Sequence, residues 1–288
     1  MTIREKGYTH WEGELRARRL AWWPITRLGI RLAFKKKYFK FIYAGAFGPA
    51  FAFIVGIYIA ERVEDFQSML RGPRVLEVNP KYFLTYFNSD FLLFMMLMIM
   101  LVSGAGLISD DLKYNALQLY FARPLAKKDY LMGKMAVLVF FLLSLTLVPG
   151  LLFIVFKLLF AGSFSFLATY PWLPTAVVAS SLLTTAFFCL YTLLLSSLSR
   201  NRRYVSILIF AIYVASDIFF GFFYENFRKP GFVLLSLKRN LQQTGAFFFQ
   251  QKPPYPVSWL YSFLILVGIC LVAVLVLRRK VRGVEVVR

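Results

Sequence analysis

An all-α integral membrane fold with six transmembrane helices is what the sequence predicts, and three observations carry that expectation. The chain of 288 residues is 59% hydrophobic and 18% aromatic, with a mean hydropathy of +0.63, a composition that a soluble domain of this length would struggle to keep in solution. Six windows of about 20 residues, the length a helix needs to cross a hydrocarbon core of about 30 Å, are free or almost free of charge. The net charge of +20 is carried largely by short segments beside those windows.

The spans fall at about residues 41–60, 91–109, 135–156, 175–199, 204–224 and 257–277, and Asp217 in the fifth is their one charge. The charge-free run from Leu158 to Ser199 is divided at "AGSFSFLATYPWLP", where glycine, serine and two prolines favour a turn over one continuous helix. Lys and Arg set the orientation, because cytoplasmic segments are enriched in them. Segments 1–40, 110–134, 200–203 and 278–288 hold 24 of the 34, against 10 in the alternate loops, so both termini are expected in the cytoplasm.

Three pieces make up the expected organisation: a basic, aromatic segment over 1–40, a six-span domain over 41–277 and a basic tail over 278–288. The first piece combines eleven basic residues, Trp11, Trp22, Trp23 and the run "FKKKYFKF", a mixture suited to an interfacial helix on anionic lipid. Leu28 with Leu32 and Ile30 with Phe34 pair locally, on different faces. No cleavable signal peptide is apparent, since about forty charged and aromatic residues precede the first span. The last outer loop, 225–256, contains "FVLLSL" and "AFFF", apolar pieces too short to span, separated by "KRNLQQTG" and expected to form short interfacial or re-entrant helices.

Several chemistries find no support. Cys189 and Cys270 lie inside spans without metal-ligand spacing, and the chain has one histidine, His10, so neither a zinc site nor a disulfide framework is expected. The basic charge sits beside spans rather than in a soluble module, which favours the lipid membrane over nucleic acid as its partner. "LMGKM" at 131–135 lacks the upstream glycine and the hydroxyl of a phosphate-binding loop, and no nucleophile elbow or HExxH pair occurs, so no enzyme activity is expected in this chain.

Asp217, in the outer half of its span, is costly as a carboxylate well inside a span, about 2.5 to 3.5 kcal/mol on insertion scales, and should face protein or water. It reads either as a substrate- or proton-contacting group or as a carboxylate near the outer interface paired with Lys157, Ser216 or water. Between spans 2 and 3, "SDDLKYNALQLYFARPLAKKDYLMGKM" interrupts the apolar chain with eight charges. Ser109, Asp110 and Asp111 are expected to cap a helix of about ten residues. Leu112, Ala116, Leu119 and Tyr120 fall on one face of it, and Pro124 ends it.

At these residues the chain resembles the type-2 permease family of ATP-binding-cassette transporters. In that family the second cytosolic segment has an acidic start, a short helix, an Arg-Pro or similar dipeptide and a Tyr…Gly-Lys lead-in to the third span. The matching pieces are Asp110, Asp111, Leu117, Leu119, Arg123, Pro124, Tyr130, Gly133 and Lys134. Two departures are Tyr114-Asn115, where Gly-Thr is common, and Ala126, where a small capping residue is expected.

The resemblance implies a permease half that pairs with a second copy of itself in the inner membrane of a prokaryote. A separate ATPase subunit would bind ATP and magnesium, and this chain would hold no cofactor or metal. Contact with that subunit would fall on a coupling helix, at Asp110, Asp111, Leu112, Tyr114, Asn115, Leu119, Arg123 and Pro124. Export is the expected direction because no large outer domain is present. An ion-coupled carrier using Asp217 and Lys157, or a non-transporting membrane scaffold, are the alternatives.

Overall fold

The computed structural model describes residues 20–62, 77–121 and 125–280. Among them, six helical stretches are long and apolar enough to cross a membrane: Lys37–Glu61, Pro80–Lys113, Lys127–Ala161, Leu173–Leu198, Arg202–Phe227 and Trp259–Lys280. Their number matches the six charge-poor windows. The helices run past the windows at most ends, because backbone hydrogen bonding does not stop where side chains become polar.

Before the first span, α1 (Trp23–Lys35) ends at Lys36, whose extended backbone separates it from α2 (Lys37–Ala46); α3 (Gly48–Arg62) completes that span. The basic run is thus divided between two helices. The two local pairs on α1 separate as their spacing implies: Leu28 and Leu32 are exposed, while Ile30 and Phe34 pack on the core. Phe34, Phe39, Tyr43 and Phe141 form a ring cluster with centroids 4.9 to 5.7 Å apart, which fastens the α1–α2 junction to the third span.

The second span comprises α4 (Pro80–Phe87), α5 (Asp90–Ile99), a π turn (Met100–Gly104) and α6 (Gly106–Lys113). In the π turn the Ala105 amide reaches back five residues to Met100 O. The missing side chain of Gly104 lets the fourth span come close: a Cβ there would lie 2.5 Å from Thr192.

The third span is α8 (Lys127–Ala161), which packs on α1, α3 and α10 (Leu173–Leu198). Pro149 inside it has no amide proton, so the carbonyl of Leu145, four residues earlier, is left without its usual partner. Tyr86 supplies one, donating its hydroxyl to Leu145 O at 2.6 Å. The turn expected within 161–174 is present: Gly162 takes a left-handed conformation, α9 (Ser165–Thr169) follows, and Pro174 opens α10.

After α11 (Arg202–Phe227) the outcome differs from expectation. "FVLLSL" contributes mainly a 3-10 turn (Pro230–Leu235), and the polar separator is itself the helix, α12 (Leu237–Phe248). Asn240, Gln242, Gln243 and Thr244 are buried on it. Their side chains bond to neighbours: Gln243 donates to the carbonyls of Tyr255 and Val257 at 2.8 and 2.6 Å, and Gln242 to that of Asn88 at 2.8 Å. The sixth span, α13 (Trp259–Lys280), packs on α10 and α12.

Candidate functional site

The end of the bundle that carries Lys37, Lys113, Lys127, Arg202 and Lys280 holds the segment between spans 2 and 3. Ser109, Asp110 and Asp111 do not cap a helix there. They form the last turns of α6, and Ser109 donates its hydroxyl back to Ala105 O at 2.8 Å. The second span's helix continues through them because α10 stabilises it: Ser196 Oγ accepts from the amides of Ile108 and Ser109, both at 3.1 Å. The turn comes later, at Tyr114 and Asn115. Asn115 has φ +53°, a conformation asparagine tolerates better than most residues. The helix beyond it, α7 (Ala116–Phe121), has six residues rather than about ten, and Leu112 belongs to α6.

Carboxylates at a helix C-terminus oppose its dipole, so Asp111 needs partners from elsewhere. α8 provides them: the Tyr130 hydroxyl donates to Asp111 Oδ2 at 2.6 Å, and Lys134 Nζ lies 2.7 Å from the same oxygen. The ammonium of Lys134 also stands 5.5 and 5.8 Å from the ring centroids of Tyr130 and Tyr120. Side-chain exposures of 11% for Lys134 and 14% for Asp111 make this a sheltered pair. Burial, then the Asp111 carboxylate, hold the Tyr120 phenol above its ordinary range, so it stays protonated.

Under the elbow that this turn makes between α6 and α7, Leu117 and Tyr130 are buried with Ile25, Leu112, Tyr120, Leu125 and Leu131 around them. α1 closes that side, with Thr26 Oγ1 3.1 Å from Gly133 O. A Cβ on Gly133 would meet Trp22 O and Ile25 at 2.9 Å, so its absence sets how close α1 comes.

Of the residues singled out for coupling, Asp110, Asp111 and Leu112 are partly buried at the end of α6, while Tyr114, 71% exposed, and Asn115 face outward. Lys113 and Gln118 join that exposed face, and Lys113 Nζ stands 5.1 Å from the Tyr114 ring centroid. The side chain of Leu119, and Arg123 and Pro124 entirely, lie outside the described residues. Ala126 precedes α8 without a side-chain cap, as its substitution for a capping residue implies. Tyr120, which knits α7 to α8, was legible only as part of an apolar stripe.

Asp217 and Lys157 do not meet. Lys157 bonds to Glu61 of α3, with its ammonium 5.3 Å from the Phe166 ring centroid. Asp217 is held instead from the start of α12: Lys238 Nζ at 2.6 Å, Arg239 Nε at 3.2 Å and the N-cap Ser236 Oγ at 2.9 Å. Lys238 also reaches Asp90 at 3.5 Å, and Gln242 Nε2 donates to Asp90 at 3.1 Å. No local pattern shows this pairing, because Lys238 and Arg239 lie more than 20 residues beyond Asp217 in a segment read only for its short apolar pieces.

A comparison with curated proteins finds no match. Residues 34–217, well over half of the chain, match the family model described as ABC-2 family transporter protein. That match runs from the end of α1 through the elbow and into the fifth span. The chain belongs to the ABC-2 transporter family, as a multi-pass membrane permease component.

Proposed function

We propose that this chain is the permease half of an exporter, pairs with a second copy of itself in a prokaryotic inner membrane, and is driven by a separate ATP-binding subunit docked on the α6–α7 elbow. The observation that carries the reading is the two-sided construction of that elbow. One face is fixed to α8 through Asp111, Tyr130 and Lys134; the other presents Lys113, Tyr114, Asn115 and Gln118 to solvent. A push on the exposed face would reach spans 2 and 3 together, since the Asp111 carboxylate of one is bonded to the foot of the other.

Positive-inside counting supports a cytosolic elbow and cytosolic termini. That the sequence carries no phosphate-binding loop supports a separate subunit as the one that binds ATP and magnesium. The ion-coupled alternative draws no support from Asp217, whose carboxylate is occupied by two cations and a hydroxyl.

The test is purification of the tagged chain from its native membranes in mild detergent, followed by assay of the eluate for ATP hydrolysis. Hydrolysis should co-purify with the chain and fall about tenfold or more with Tyr114→Asp, while the melting temperature of the permease stays unchanged. Equal hydrolysis with the variant would refute docking on the elbow.

A further inference from the structure

A cleft of about 180 Å³ lies beside the elbow, between α1, α6 and the start of α11. Its polar end is unusual. The Val102 carbonyl, in the π turn, accepts from two cations at once: Lys36 Nζ at 3.0 Å and Arg202 Nη2 at 2.7 Å. The two cationic nitrogens are therefore at most 5.7 Å apart, the sum of those distances, and share one neutral oxygen. Neither forms an ion pair among the described residues. Of the two carboxylates lining the cleft, Asp111 is taken by Lys134, and Asp110 stands near without pairing. The remaining wall includes Leu28 and Leu32 of α1, both about half exposed.

We propose that this cleft is a binding site for the phosphate of an anionic phospholipid, held by Lys36 and Arg202, with the lipid's apolar part along Leu28 and Leu32. Two like charges on one carbonyl repel, and a phosphate oxygen placed between them would relieve that repulsion. The apolar wall continuing from the cations selects a lipid over a free phosphate ion. Lys36 carries the strain: burial first, then Arg202, lower its pKa to about 8, against a smaller opposing effect of Asp110. The other titratable groups of the cleft are Asp111 and Lys134, which neutralise each other, and Tyr120, which stays protonated.

The sign of the pH dependence follows. Bound phosphate favours charged Lys36, so lipid selectivity is full at pH 7 and declines as pH rises beyond about 8. The site requires that the chain span a membrane and does not require an ATPase partner, so its failure would leave the elbow reading standing.

The experiment uses the full chain in nanodiscs of phosphatidylcholine, with displacement of a fluorescent phosphatidylglycerol as the readout. Lys36→Gln and Arg202→Gln should each weaken phosphatidylglycerol binding roughly fivefold. Lys229→Gln, an exposed cation at the opposite end, should leave it unchanged. Raising the pH from 7 to 9 should weaken binding to the parent protein but not to Lys36→Arg, an arm that does not depend on a charge-deleted variant folding. Parent binding with no preference for phosphatidylglycerol over phosphatidylcholine, equal losses in the cleft and control variants, or the same pH response in Lys36→Arg would each overturn the proposal. Displacement by glycerol 3-phosphate as effective as by the lipid would assign the cleft to a soluble phosphate and overturn it as well.

Discussion

The two ends of the bundle handle charge in opposite ways. At one end, Asp217, Lys238, Arg239, Asp90 and Gln242 bond to one another across α5, α11 and α12. At the other, Asp111 is satisfied by Tyr130 and Lys134, but the adjacent face of Lys113, Tyr114, Asn115 and Gln118 remains exposed. The first arrangement fastens a chain to itself. The second fastens a short helix in place while keeping its polar face open, which is what a docking element requires.

The sharpest way to break this contrast is to remove the anion at the closed end. Asp217→Ala leaves Lys238 and Arg239 without it, and breaking such a partly buried cluster should cost about 2 to 4 kcal/mol, read as a lower melting temperature in detergent. The carboxylate is a quarter exposed, which places the loss below that of a fully buried pair. If the protein melts unchanged, the network is incidental to the fold.

A smaller loss is expected at the open end. Asp111→Ala should cost about 1 to 3 kcal/mol, because it strands Lys134 and one hydroxyl rather than two cations. It should also loosen α7 from α8, measurable as faster amide exchange over 116–121. Protection that stays at the parent level would show that apolar packing around Leu117 alone sets the elbow.

The smallest effect concerns the turn. Asn115→Gly should change stability by no more than about 0.5 kcal/mol, whereas Asn115→Val should lose about 1 to 2 kcal/mol because a β-branched residue resists positive φ. Equal melting temperatures for the two would mean that the left-handed turn is not maintained in the membrane.

The same contrast explains what could be seen in the sequence. Six spans were legible because a charge-free window of about 20 residues has few other uses. The elbow was legible as a built element but was placed too early. Ser109, Asp110 and Asp111 have the composition of an N-cap, yet the stabilisation that carries α6 past them comes from Ser196, 87 residues away from Ser109. The apolar stripe from Leu112 to Tyr120 runs across the break without interruption, and the clue that it breaks was Asn115, at the position where the resemblance expected another residue. At the closed end, "KRNLQQTG" looked like a separator because its burial depends on carbonyls of Asn88, Tyr255 and Val257, which no local pattern reveals.

The most direct measurement of the central claim is site-specific photo-crosslinking in native membranes. A crosslinker at Gln118, on the exposed face of α7, should capture an ATP-binding chain, and one at Lys229, at the closed end, should not. Capture of that chain from Lys229 but not from Gln118, or from neither position while ATP hydrolysis still co-purifies, would contradict docking on the elbow.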